Sequence, residues 1–226
     1  MLKKKIICII PARSGSKRLK NKNILKFRGK PLFAHSIIQS RKSKLIHRTI
    51  VSTDSEHYRR IALKYGAEAP FLRPKKLSLD TSTDFECFDH CLKYLKTREN
   101  YTPNIIVHLR PTYPLRPLGL IDKCIKFFIN NKNAQLLKTI SKFENPIEKL
   151  WYRKNNILFN PITKKSKEWL LGDQSLKQTY IQNACIDILK VSAIKKKYFN
   201  YGEIIGYYMK DNFDINTLKD LKKINK

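Results

Sequence analysis

Several features that would narrow the field are missing from this chain of 226 residues. No apolar stretch is long enough to span a bilayer. Lys3, Lys4 and Lys5 precede Ile6 to Ile10 like a miniature signal peptide, but the apolar part is too short and Arg13 follows at once. The expectation is a cytoplasmic protein with no membrane partner. Its five cysteines (Cys8, Cys87, Cys91, Cys124 and Cys185) form no CxxC pair and are odd in number. Scattered through apolar segments, they read as free thiols in a reducing compartment. There is no internal repeat and no low-complexity linker. At ~100 to 200 residues per domain, the length predicts a single domain, 1–226, around one core.

Acidic residues are scarce: 18 Asp and Glu stand against 47 Lys and Arg, for a formal net charge of +29. That balance invites a nucleic-acid reading, because neutralising phosphates is the main source of affinity for DNA or RNA. The distribution argues otherwise. Lysines are spread from Lys3 to Lys226, no recognition motif accompanies them, and 7 glycines beside abundant Ile and Asn is the profile of AT-biased coding. No nucleic-acid partner is expected: compositional drift accounts for the charge, with attraction for polyanions or gathering of anionic small substrates as the other reading. A composition 42% hydrophobic and 29% charged is that of a folded globular chain, not a disordered one.

What is present alternates. β-branched apolar runs recur at Lys5 to Ile10, Thr49 to Ser52, Ile105 to Leu109 and Leu136 to Ile140, with amphipathic stretches following most of them. This predicts βαβ units and a parallel sheet. Helices are expected over Pro31 to Ser40, Ser55 to Tyr65 with Gly66 as the C-terminal stop, Asp84 to Lys96, and Leu118 to Asn130. Phe143 to Gln178 has no clean period and reads as a hairpin-like excursion. Tyr180 to Val191 and Ile204 to Met209 read as strands, and Asn216 to Ile224 as a closing helix.

The segment Ile6 to Asn23, IICIIPARSGSKRLKNKN, places a Gly/Ser loop with several cations at the carboxyl end of the first strand. In doubly wound sheets ligands sit there. Backbone N–H groups of Ser14, Gly15 and Ser16 can face phosphate oxygens, and Arg13, Lys17, Arg18 and Lys22 supply charge, so a nucleoside triphosphate is the natural guest. The other reading is a basic surface turn. Three further segments fit the first reading. HLRPTYPLR (His108 to Arg116) sets Arg110 and Arg116 in a turn stiffened by Pro111 and Pro114, suited to phosphate or carboxylate, or to capping a helix or pairing with a core acid. FLRPKKLSLDTSTD adds Arg73 and the Asp80 to Thr83 cluster, which is also a helix N-cap signal. FDINTL turns Asp214 and Asn216 to one side, as ligands for a hard cation or as helix caps.

Together these segments resemble the CMP-sialic acid synthetases, or N-acylneuraminate cytidylyltransferases, and relatives that activate Kdo and other 3-deoxy-ulosonic acids. The resemblance runs in family order through IIPARSGSKRLKNKN, KPLFAHSI, VSTDSE, LRPKKLSLDTS, LRPTYPLR, QNACIDI and DIN, across nearly the full length. It implies an α/β, Rossmann-like nucleotide-diphospho-sugar transferase fold: a mostly parallel central sheet flanked by helices, with residues 143–178 as a small dimerisation arm. It implies transfer of CMP from CTP to the anomeric hydroxyl of an acidic sugar, with Mg2+ as cofactor and a homodimer as the assembly.

Position by position, the resemblance assigns Arg13, Ser16, Lys17, Lys22 and Asn23 to the loop holding the CTP phosphates, with Lys22 the main stabiliser of the transferring α-phosphate. Arg73, Asp80 and Ser82 fall near the cytidine and its phosphates. Arg110 and Thr112 line the nucleotide and sugar pocket, where Arg110 replaces the usual Gln. Asn183 matches a sugar-side Asn, followed by Ala184 in place of Gly. Asp214 matches a magnesium ligand, and Asn216 replaces the second aspartate; losing that charge implies weaker metal capture by the free protein. Arg13, Lys22 and Asp214 are the implied catalytic residues. A Kdo-type synthetase and a catalytically impaired nucleotide-binding paralogue are the rival readings.

Overall fold

The apolar run at the start of the chain becomes an interior strand of a six-stranded sheet, one in from its edge. A computed structural model describes residues 4–16, 19–160, 168–195, 203–210, 213–215, 217, 219–220 and 222. Strand β1 (Ile6–Pro11) is followed by a small hairpin, β2 (Lys26–Phe27) and β3 (Lys30–Pro31), and by α1 (Leu32–Arg41). Next come β4 (Arg48–Ser52), α2 (Glu56–Lys64), α3 (Asp84–Glu99), β5 (Ile105–His108) and α4 (Leu120–Asn130). The chain continues through β6 (Ala134–Lys142), the hairpin β7 (Tyr152–Lys154) and β8 (Ile157–Phe159), β9 (Tyr180–Lys190), α5 (Val191–Lys195) and β10 (Glu203–Tyr208).

The sheet order is β10-β6-β9-β5-β1-β4. β1 runs parallel to β4 and β5, and β10 parallel to β6, while β9 is antiparallel to both its neighbours. The expected α/β class with a mostly parallel sheet is what is found. β1 is buried on both faces, as a central parallel strand must be. Ile6, Cys8 and Ile10 pack with Phe33 and Ile37 of α1, Tyr58 of α2 and Phe128 of α4. Ile7 and Ile9 face the other way, against Phe88, Cys91 and Leu95 of α3. Each such side chain contributes roughly 1.5–3 kcal/mol through burial. All five cysteines are buried and free.

Local signals set the helix ends. Ser55 caps α2, its Oγ accepting from the Tyr58 N–H, and Gly66 lies just beyond the helix at φ +82°, where a side chain would be strained. Thr83 and Glu86 form a reciprocal capping box at the start of α3. The excursion after β6 does form a hairpin, at the tip of the β6–β9 ladder, and it exposes Trp151, Tyr152, Ile157, Leu158 and Phe159. Of the expected closing helix, Lys219, Asp220 and Lys222 are helical, Thr217 lies in a bend just before them with its Oγ1 accepting from the Asp220 N–H, and the rest lies outside the described residues.

Candidate active site

A cleft of about 630 Å³ opens beyond the carboxyl ends of β1 and β5. Its lining brings together Arg13, Ser16, Lys22, Asn23, Arg73, Asp80, Ser82, Arg110 and Thr112, from three segments far apart in sequence. Lys17, Arg18 and Asn216 lie outside the described residues.

The loop after β1 is built by its own side chains. The Arg13 carbonyl accepts from Asn23 Nδ2 at 2.9 Å, and Asn23 is buried, so Lys22 is carried into the cleft on a short turn pinned from below. One expectation is corrected here. The Ser14 N–H donates to Asp54 Oδ1 at 2.8 Å, and the Ser16 N–H to the Ser14 carbonyl at 3.0 Å. Two of the three amides expected to face phosphate are therefore committed inside the protein, because Asp54 just past β4 lies within reach. Side chains supply much of the cleft's positive potential.

Opposite this loop, Arg13 Nη2 donates to Asp80 Oδ1 at 2.6 Å. Ser82 Oγ is held in a local turn, accepting from the Leu79 N–H and donating to the Lys76 carbonyl. Arg73 is 6% exposed and its backbone N–H extends the edge of the sheet by donating to the Thr53 carbonyl at 2.7 Å. Its Nε and Nη2 have no hydrogen-bond partner among the described residues. Buried guanidinium donors are rarely left so, since each unmet donor costs about 1–3 kcal/mol.

The floor of the cleft at the end of β5 is a cluster of charges. Arg110 Nη1 donates to Asp187 Oδ2 at 2.7 Å and Nη2 to Asp84 Oδ2 at 3.2 Å. His108 Nδ1 stands 3.4 Å from Asp187 Oδ2, and Lys138 Nζ is 3.7 Å from Asp187 Oδ1. Burial by itself raises the Asp187 carboxyl, but hydrogen bonding and charge from His108, then Arg110 and Lys138, outweigh it and hold the group well below the usual carboxylate range. For Arg110, burial is likewise outweighed by Asp187 and Asp84, which raise it. Of the readings open for Arg110, pairing with a core acid is the one found: two carboxylates offset its charge.

Arg116, grouped with Arg110 in the sequence, does something else. It is buried, donating to the carbonyls of Cys185, Tyr113 and Arg110 and to Ser36 Oγ and Gln39 Oε1. It locks the turn after β5 in place.

Asn183 is also turned inward, donating to Ser141 Oγ at 2.9 Å and accepting from the Cys185 N–H at 3.2 Å. These contacts hold an irregularity in the β6–β9 ladder, where Ala184 has φ +59°. Asp187, beyond the irregularity, is in register opposite His108 and Lys138. Phe213 packs edge-on against Tyr113, and the Ile215 N–H donates to the Thr112 carbonyl at 2.7 Å. Half-buried Asp214 is thereby held on a segment tied to a cleft-lining loop, although it is not itself among the described lining residues.

Asp84, His108 and Asp187 were not singled out in the sequence. The one signal was a lone Asp inside the apolar strand run ACIDIL.

A family model described as cytidylyltransferase matches residues 7–226. The chain belongs to this family. It is 37% identical over 152 residues to a pseudaminic acid cytidylyltransferase of Campylobacter jejuni, covering 67% of this chain and 65% of that one. It is 32% identical over 222 residues to the CMP-N,N'-diacetyllegionaminic acid synthase of the same species, covering 96% of this chain and 92% of the relative. The fold is that of a CMP:2-keto-3-deoxy-manno-octonic acid synthetase solved in complex with CTP, with TM-score 0.70, 13% identity and coverage of 98% and 97%. The resemblance drawn from the sequence motifs is borne out. No helix among the described residues is long and apolar enough to cross a membrane.

Proposed function

We propose that this cytidylyltransferase-family protein transfers CMP from CTP to the anomeric hydroxyl of an acidic 3-deoxy-ulosonic sugar, sialic acid or a related nonulosonic acid, releasing pyrophosphate. The observation that carries this reading is Arg73, a buried guanidinium in the cleft with two donors unmet among the described residues. A polar, anionic guest such as a nucleotide supplies the missing acceptors. Relatives named for activating pseudaminic and legionaminic acids support an acceptor of that kind.

The chemistry asks for placement and charge neutralisation more than for covalent participation. The sugar oxygen bonds to the α-phosphorus in line and gives up its hydroxyl proton to solvent, as the bond from that phosphorus to the β-phosphate oxygen breaks and pyrophosphate leaves. Lys22 and Arg13 offset the charge on the transferring and leaving groups. Asp214 offers a carboxylate for Mg2+ beside the Thr112 loop, with Asn216 as the second expected ligand. Among the described residues there is no cluster of three His, Cys, Asp or Glu side chains fit to hold a metal. Magnesium keeps several waters and takes one or two carboxylates plus substrate phosphates. When bound, it supplies further charge neutralisation at those phosphates.

The exposed apolar hairpin, Tyr152–Lys154 with Ile157–Phe159, is the surface we assign to a second copy of the chain. Five buried thiols suit a reducing, cytoplasmic setting. A thermal-shift screen tests the nucleotide assignment. CTP with Mg2+ is expected to raise the unfolding midpoint, by about 2.7 kcal/mol of stabilisation at a hundredfold excess over Kd, and ATP, GTP and UTP to raise it much less. Equal shifts with all four, or none, contradict it.

A further inference from the structure

Arg110 sits between two carboxylates that are not equivalent. Asp187, on β9, is buried, with 9% side-chain exposure, and accepts from Nη1 at 2.7 Å. Asp84, the first residue of α3, has 42% side-chain exposure and accepts from Nη2 at the longer distance of 3.2 Å. One contact anchors the guanidinium; the other covers a face that looks into the cleft. We propose that Asp84 is a placeholder, and that the acceptor sugar's carboxylate displaces it from Arg110 Nη2. This inference rests on the acidic-sugar reading given above.

The position of Arg110 favours the acceptor over the triphosphate. Arg13 and Lys22 come from the loop after β1, whereas Arg110 stands at the end of β5, whose other neighbour is β9. Among the arginines that line the cleft, it is the one at the end of β5, toward β9. A guanidinium presents its donors in a planar fork matched to carboxylate geometry, and Asp187 fixes the plane of that fork before any substrate arrives. Preorganisation of this kind removes an ordering cost from binding.

Exchange also explains why two acids are needed. Arg110 has 25% side-chain exposure, so stripping away one partner without replacement leaves a poorly hydrated charge. With Asp84 in place the cation is paired before binding, and afterwards the substrate carboxylate pairs it while Asp84 turns back to water. The acceptor therefore competes with a partly exposed ion pair, a weak competitor. An uncharged or differently placed acid group does not displace it, which makes Asp84 a determinant of acceptor choice.

The test is a double-mutant cycle on acceptor KM, read from initial rates of pyrophosphate release at saturating CTP with a 3-deoxy-ulosonic acid. Asp84→Asn weakens the competitor and is expected to lower acceptor KM about 2- to 5-fold, with CTP KM moving less. Arg110→Gln is expected to raise acceptor KM about tenfold or more. In the Arg110→Gln background, adding Asp84→Asn is expected to change acceptor KM by less than about 1.5-fold, because no guanidinium remains to compete for. A gain that persists there marks general electrostatics and overturns the exchange. So does an unchanged KM in Asp84→Asn, or an unfolding midpoint that falls while KM stays put, which marks a purely structural role in the first turn of α3. A wild type that turns over no acid of this class overturns the acidic-sugar reading itself, and the exchange with it.

Discussion

Arg13 Nη2 lies 2.6 Å from Asp80 Oδ1, joining the loop after β1 to the turn before α3 across the mouth of the cleft. Both groups are about one-third exposed, so the pair links two loops and adds little stability. A nucleotide entering here meets a guanidinium that is already oriented, and Lys22 beside it.

Lys22→Ala is expected to lower kcat by about 10²-fold or more, as loss of one donor to a developing oxyanion does. Lys22 is half-buried on a turn that Asn23 pins independently, so equilibrium stability is expected to move by less than about 1 kcal/mol. Steady-state rates beside denaturant titrations check the pair of outcomes. Near-normal turnover contradicts the role given to Lys22.

Arg73→Met separates binding from folding in the opposite sense. Removing a buried guanidinium with unmet Nε and Nη2 is expected to stabilise the ligand-free protein by about 1–2 kcal/mol, while the CTP-dependent thermal shift disappears. Loss of stability together with a retained CTP shift would show that Arg73 is structural.

Asp187→Asn tests the charge cluster through pH. The folded Asp187 carboxyl lies below its unfolded value of about 3.9, so its contribution is complete at neutral pH and is lost as pH falls below about 4 toward the folded value. The variant is expected to be less stable by roughly 2 to 4 kcal/mol at pH 7. That gap narrows below pH ~4. Unfolding curves from pH 7 to pH 3 read it directly; a gap that is constant with pH contradicts the assignment.

Ala184 carries a left-handed backbone at φ +59°, which favours glycine. Ala184→Gly is expected to stabilise by up to about 1 kcal/mol, relief of strain exceeding the added chain entropy, and Ala184→Val to destabilise by about 2 kcal/mol or more. Chemical denaturation of the three proteins decides it. A valine variant as stable as the parent contradicts the strain.

The strands and helices that the sequence predicts were legible because their signals are local. β1 is a run of five apolar residues, α2 has Ser55 and Gly66 at its ends, and α3 has its capping box. Most of the cleft was legible through motifs as well. The charge cluster was not, because it depends on register: His108 and Asp187 are Cα partners across the antiparallel β5–β9 pair, yet 79 positions apart. Arg116 misled for the same reason. Its acceptors are carbonyls and side chains of α1, β9 and its own turn, and a sequence shows an arginine near prolines whether it faces phosphate or core.

Pyrophosphate release tests the central claim most directly. With CTP, Mg2+ and a panel of 3-deoxy-ulosonic acids, release is expected to require both CTP and an acidic acceptor, and one CMP-sugar is expected to form for each pyrophosphate. Release that is independent of the sugar, or no release with any acid on the panel while CTP still protects against heat, contradicts the proposal that this cleft joins a nucleotide to an acidic sugar.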